Sequence, residues 1–425
     1  MKKLISVIIL TVMFVSMAME CAFAENNMVT EIYVSLSGSD ENPGTIDKPL
    51  KTAIAARDKV RELKKSGELG EKGAVIYFRG GIYPFSEPLT LNSEDSGKEG
   101  APITYRAYLD EEVKFIGGVD IEPSDFELVT DEATLSRLIK KDISDSLYRV
   151  NLKNIGVKEI PMPYLLGGYS YWQVDGVVQE KSIILGDLAN ELGYDPESAK
   201  SPELFVDDEL MTVSRYPNEK DGYLKVEGVT EPGPFMRNWN DDILGDDSWV
   251  PPEERIPTPF RFVNKSVKDR MEYWKNANQA LLWGRWYWDW AAQSVPLDYV
   301  VPVSGEIASK LPGAFSVRIG QPWYIYNLLE EIDEPGEYFM DRDTGYLYLY
   351  PKKSISEINE VVLTLMDESL ICADGADYIT FKGIDAGRSR RHAFDVKNAD
   401  NFHIRDAEIS YTADMAVVEI GRAHV

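Results

Sequence analysis

Histidine, cysteine and positive charge are scarce in this sequence. His392, His403 and His424 are its three histidines and Cys21 and Cys372 its two cysteines, in 425 residues. A His-dependent catalytic triad or a zinc site therefore has almost nothing to draw on. Phosphate-cradling loops are missing as well: Gly80-Gly81 and Gly117-Gly118 carry neither the Gly-Lys-Ser/Thr ending nor the Gly-x-Gly-x-x-Gly pattern. No cofactor and no metal is expected. Against 71 Asp+Glu stand 45 Lys+Arg, a formal charge of −26, which repels phosphate backbones and anionic headgroups at long range. The basic run Lys64-Lys65 behind Arg61 reads as the solvated face of a helix, so nucleic acid is not an expected partner. If the chain does chemistry, carboxylates or Lys/Arg must do it.

The first 24 residues have the form of a targeting segment. Lys2-Lys3 make a positive start, Leu4 to Met19 an apolar stretch, and Ala22-Phe23-Ala24 a small-x-small cleavage site. Export is expected, into the periplasm or the medium. No later stretch reaches the 18 to 20 apolar residues of a membrane span, so no membrane partner is expected after cleavage. Glu20 before Cys21 is too large and charged for lipid attachment. Cleavage leaves Cys372 alone, which rules out an intramolecular disulfide. In the alternation Leu370-Ile371-Cys372 it reads as a small buried hydrophobe.

The mature chain opens with a strand, Ile32-Tyr33-Val34, and a turn-rich loop, Ser37 to Thr45. Leu50, Ala53, Ile54, Arg57, Val60 and Leu63 then recur at helical spacing between Pro49 and Gly67, which predicts an amphipathic helix. From Ala74 the period changes to two, with short strands at Val75 to Phe78, Leu89 to Leu91, Ile103 to Tyr105 and Val113 to Ile116. The same punctuation returns near the C-terminus as a repeat. Ala376-Asp377-Tyr378-Ile379-Thr380-Phe381 recurs 23 residues later as Ala399-Asp400-Asn401-Phe402-His403-Ile404, and Leu370 and Cys372 recur 24 residues later as Phe394 and Val396. Such periods without intervening helices indicate a β-solenoid.

The expected fold is all-β: a right-handed parallel β-helix with an N-terminal capping helix and an inserted antiparallel β-sandwich. Residues 25–116 and 358–420 belong to the β-helix. Residues 117–357 form the insertion, which holds all nine tryptophans and hairpins at Leu204 to Val213 and Tyr338 to Tyr350.

Several motifs carry a resemblance. Gly38-Ser39-Asp40, Asn42-Pro43-Gly44-Thr45, Gly80-Gly81-Ile82-Tyr83 and Gly100 to Ala107 resemble the N-terminus of secreted right-handed β-helix proteins. Arg215-Tyr216-Pro217-Asn218, the run Trp283 to Trp290, Pro335-Gly336-Glu337-Tyr338 and Asp341 to Gly345 resemble a sandwich inserted in some of them, among them β-helix glycoside hydrolases acting on plant polysaccharides. The resemblance implies a polysaccharide or oligosaccharide partner, and one such architecture hosts hydrolases, lyases and non-catalytic surface proteins.

In a β-helix, outward residues of stacked strands form a ladder about 4.8 Å apart. Asp395, between inward Phe394 and Val396, points outward, and Glu419, 24 residues on, is expected one rung above it. Two carboxylates at that spacing suit a retaining glycosidase; in so acidic a chain they also suit a solvated surface. Trp286, Trp288 and Trp290 alternate, so they share one strand face, either as a sugar-stacking row or as core. Asp241-Asp242 and Asp246-Asp247 lack the EF-hand spacing and read as a solvated loop. Finally, Ile420 to Val425 resembles a translated sequencing adapter, so a truncated coil is expected there, with the Glu419 codon partly affected. The expected function is a secreted glycoside hydrolase using paired carboxylates; the alternatives are a lyase, with Lys or Arg as base, and a non-catalytic glycan- or protein-binding β-helix.

Overall fold

The computed structural model describes residues 28–163, 200–233, 259–313 and 316–420, and the backbone of the short strands Gln173–Val174 and Val177–Val178. The targeting segment with Cys21, the Asp241-Asp242 and Asp246-Asp247 pairs and residues 421–425 lie outside the described residues. The chain is mostly β and its sheets are mixed. It divides into two units, Met1–Asp120 with Thr364–Val425, and Ile121–Leu363. Among the described residues no helix is long and apolar enough to cross a membrane.

Among the described residues of the first unit, every strand but Gly118–Asp120 belongs to one of three all-parallel sheets. One orders Thr30–Val34, Ala74–Phe78, Ile103–Ala107, Ile379–Lys382 and His403–Arg405. The second orders Gly81–Pro84, Val113–Ile116, Asp385–Ser389 and Ile409–Thr412, and the third Leu89–Leu91, Ile371–Asp374, Phe394–Lys397 and Val417–Ile420. From Ile371 on, the chain visits the three sheets in turn, and each pass adds one strand to each.

The corners show why the pass repeats. Positive φ occurs at Gly375 and Asn398, Tyr378 and Asn401, Gly383 and Asp406, and Arg388 and Tyr411, every pair 23 residues apart. Glycine, Asn and Asp suit that left-handed conformation, whereas Tyr378, Arg388 and Tyr411 hold it at a steric cost. Side chains link one pass to the next: Asp377 Oδ1 accepts from Asp400 N at 2.7 Å and Asp385 Oδ1 from Glu408 N at 2.8 Å. Successive strands also approach closely, and a Cβ on Gly387 would lie 1.8 Å from Ser410 O. Inside, Ile76, Tyr105, Ile379, Phe381, Phe394 and Val396 are almost fully buried, with Tyr105 and Phe381 stacked at 4.8 Å.

The helix Ala53–Ser66 covers the first pass. Thr52 Oγ1 caps it by accepting from Ala55 N, and Gly67, at φ 76°, ends it. It starts at Ala53 rather than Leu50, because Asp40 accepts from the N–H groups of Lys51 and Thr52 and holds them outside the helix. Ala53, Ala56 and Val60 are buried, and Arg61 donates two hydrogen bonds, at 2.7 and 2.6 Å, to the buried Asp95.

The second unit is largely antiparallel, although Thr212–Val213 and Glu337–Asp341 pair in parallel. One sheet runs through Glu337–Asp341, Tyr346–Tyr350 and Tyr148–Asn151, and another through Pro322–Tyr326, Leu281–Gly284, Gln293–Val301, Glu306–Ser309 and Arg261–Val263. Phe260, Phe262, Trp274, Trp286 and Trp323 fill its largest core. Both hairpins expected from the sequence are present.

Candidate functional site

The third parallel sheet carries Asp395. Leu89, Leu91, Ile371, Ala373, Phe394 and Val396 point inward and are nearly inaccessible. Between them Thr90, Cys372, Asp395 and Val418 stand in register on the outward face, with Asp374, Lys397 and Ile420 as the next row. Two expectations are corrected here. Glu419 pairs with Val396, so it occupies an inward-parity position and does not stack on Asp395; Val418 does. The pass is 23 residues long between Phe394 and Val417, and counting 24 moves every side chain to the other face. For the same reason Cys372 is outward and half-buried, with Ile371 and Ala373 in the interior.

Around Asp395 the structure gathers groups that sequence reading missed. Lys397 Nζ donates to Asp395 Oδ2 at 2.9 Å, and Asp395 Oδ1 is buried without a hydrogen-bond partner. Asp374 lies diagonally across from Asp395 on the neighbouring strand, with Lys397 opposite it, and accepts from Asn398 Nδ2 at 3.0 Å. Hydrogen bonding to Asp395, with the negative charges of Asp395 and Asp374, raises the Lys397 pKa, so the ammonium persists at neutral pH. The Cys372 thiol is pushed up to about 11 by burial and then by Asp395, and is not a thiolate nucleophile. The signal for Asp374 was legible: it follows Ala373 as Lys397 follows Val396. Among the described residues no group of three or more His, Cys, Asp or Glu is placed to hold a metal ion.

A second charged group spans the end of the strand Asp385–Ser389. Arg388 and Arg390 are buried, and Arg390 pairs with Asp367 and donates to Leu365 O at 3.0 Å. Burial, then the neighbouring Arg391, pushes the Arg390 guanidinium down to about 10. Arg388-Ser389-Arg390-Arg391 is a denser basic run than Lys64-Lys65 and was overlooked among the acidic residues.

The three tryptophans do not share a face. The strand ends at Gly284, ahead of all of them. Trp286 is buried against Phe260 and Phe262, at ring distances of 4.7 and 5.6 Å, Trp288 is half-buried, and Trp290 is 76% exposed. The ring of Trp286 lies so close to Gly284 that a Cβ there would come within 2.8 Å of it, so this glycine lets the chain fold Trp286 back into the core. Trp286 is therefore core, and the three rings do not form one row.

No protein-family model matches the chain. It is 34% identical over 108 residues to Pectate lyase PEL9 of Emericella nidulans, covering 25% of this chain and 23% of that protein. It is also 34% identical over 96 residues to the uncharacterized protein YwoF of Bacillus subtilis, covering 23% of this chain and 17% of that one. These matches span less than a quarter of either relative's length. In structure the chain is similar to a solved glycoside hydrolase, with a TM-score of 0.58 and 15% identity over 90% of this chain and 62% of that one, a likeness of fold.

Proposed function

We propose that the chain is an exported polysaccharide-active enzyme, a right-handed parallel β-helix with an inserted β-sandwich, that hydrolyses glycosidic bonds at Asp395 and Asp374. The observation that carries this reading is the placement of both carboxylates on one outward sheet face, with Lys397 between them. Strands lie about 4.8 Å apart and alternate residues about 6.6 Å along a strand, so a diagonal pair is separated by roughly 8 Å. That is a backbone spacing; carboxyl groups carried on it are compatible with the separation of roughly 6.5–9.5 Å that leaves room for a water opposite the leaving group and inverts the anomeric centre. Asp395, its carboxylate oriented by Lys397, takes the water's proton, and Asp374, exposed on the neighbouring strand, hands a proton to the leaving oxygen. Export rests on the segment from Lys2 to Ala24.

A lyase is the second reading, supported by the identity to a protein named as a pectate lyase and by the Arg388 to Arg391 cluster. Two facts weigh against it: the raised pKa of Lys397 unsuits it as a base, and Arg390 is committed to Asp367 and Leu365. Incubating the protein with plant polysaccharides separates the two. Hydrolysis releases reducing ends without ultraviolet-absorbing products, whereas elimination leaves an absorbing unsaturated uronate; a time course in which the two rise together refutes the hydrolase reading.

A further inference from the structure

The first parallel sheet of the same unit carries a different outward row. Register places Tyr33 beside Tyr77, Tyr77 beside Arg106, Arg106 beside Lys382, and Lys382 beside Arg405. Five successive strands thus present two aromatic rings followed by three cations in one line, at about 4.8 Å per rung. Tyr33 and Tyr77 stack at 5.2 Å, and the Arg106 guanidinium lies 5.8 Å from the Tyr77 ring centroid, so the aromatic part of the row leads directly into the cationic part. The residues between them along these strands, among them Ile76, Tyr105 and Phe381, are buried, which fixes the row on the outer face. Thr104 and Thr380 stand in register with each other beside it. Acidic groups are sparse along the three cations: Asp406 is 3.5 Å from Lys382, and Glu31 lies at the tyrosine end, accepting from Tyr33.

Three cations in file are out of keeping with a chain of charge −26. The narrow strip attracts an anion that lies along it, while the acidic surroundings repel a broad polyanion. We infer that this row binds an anionic polysaccharide, a chain of uronate sugars, running along the stack of strands. A uronate polymer offers one carboxylate per sugar for Arg106, Lys382 and Arg405 and hydroxyls for the two threonines, while the stacked Tyr33–Tyr77 pair, with Arg106 over Tyr77, closes the row at its aromatic end. The inference deepens the proposed function by giving the substrate a charge and rests on it for the polysaccharide; it does not use Asp395 or Asp374, which stand on another sheet.

The test is a binding titration of the full chain with polygalacturonate, using neutral xylan as the comparison and Asp395→Asn to keep substrate intact. The expected result is affinity for polygalacturonate that falls with salt and exceeds that for xylan. A triple variant Arg106→Gln, Lys382→Gln, Arg405→Gln loses about tenfold or more, with an unchanged thermal midpoint. Arg405→Glu, a single change at an exposed position, weakens binding in the same direction should the triple variant fold poorly. Equal affinity for xylan, undiminished polygalacturonate binding by the folded variants, or displacement of the polygalacturonate by a short single-stranded DNA overturns the inference. Cleavage is scored separately: a fully active Asp395→Asn enzyme refutes the hydrolase reading without touching the row.

Discussion

Lys397 donates from Nζ to Asp395 Oδ2 at 2.9 Å, two residues further along the same outward strand face. Held this way, the lysine is a positioning residue for the carboxylate. Lys397→Met is expected to lower kcat about tenfold or more while KM changes little, and Lys397→Arg to recover most of the loss. Steady-state kinetics of the two variants check this; equal losses in both, with a lowered thermal midpoint, mark the pair as structural.

The diagonal of Asp374 and Asp395 predicts inversion. Proton magnetic resonance of the first products from an anomerically defined oligosaccharide reads the outcome directly. Initial release of the retained anomer contradicts the assignment of this pair.

Glu337 sets a pH dependence of stability. It is 4% exposed, and burial, assisted by the charges of Asp333 and Glu334, raises its pKa to about 7, although it accepts hydrogen bonds from the N–H groups of both residues. The folded protein therefore holds a proton that the unfolded chain has released above its ordinary pKa of about 4.3. The stability from this group is fully present below about pH 4.3 and is lost as pH rises through 7, to the extent of about 4 kcal/mol. Glu337→Gln is expected to flatten that part of the profile in denaturant titrations at stepped pH. An unchanged slope contradicts it.

Trp286 and Trp290 separate core from surface. Trp286→Ala is expected to cost about 3–5 kcal/mol, since it empties a site among Phe260, Phe262 and Trp323. Trp290→Ala, at 76% exposure, is expected to cost under about 0.5 kcal/mol. Chemical denaturation of both variants measures the difference.

The local features were legible in the sequence and the lateral ones were not. Thr52, Gly67 and the period-two strands mark the helix and the sheets because each acts through near neighbours. Repetition at 23 residues was visible at Tyr378 and Asn401, whose corners have the same backbone shape. Register was harder. Leu370, Ile371 and Ala373 are all buried, and a run of apolar residues does not reveal which of them alternates inward, so Glu419 was aligned with Asp395 by an error of one. The tryptophan run reads as alternation, but Gly284 turns the chain and only Trp286 reaches the core. Arg106 and Lys382 are neighbours only because the unit Ile121–Leu363 intervenes between two strands of one parallel sheet; no local pattern records that.

The proposed reaction is cleavage of a glycan by the outward carboxylates of the third parallel sheet. Its most direct measurement is the rate of reducing-end release by the wild-type chain and by Asp395→Asn on a polysaccharide that the wild type degrades. The expected result is a loss of about 10²–10⁴-fold in Asp395→Asn, a comparable loss in Asp374→Asn, no more than about twofold in Glu419→Gln, and thermal midpoints that stay together. An Asp395→Asn protein that cleaves at the wild-type rate contradicts it.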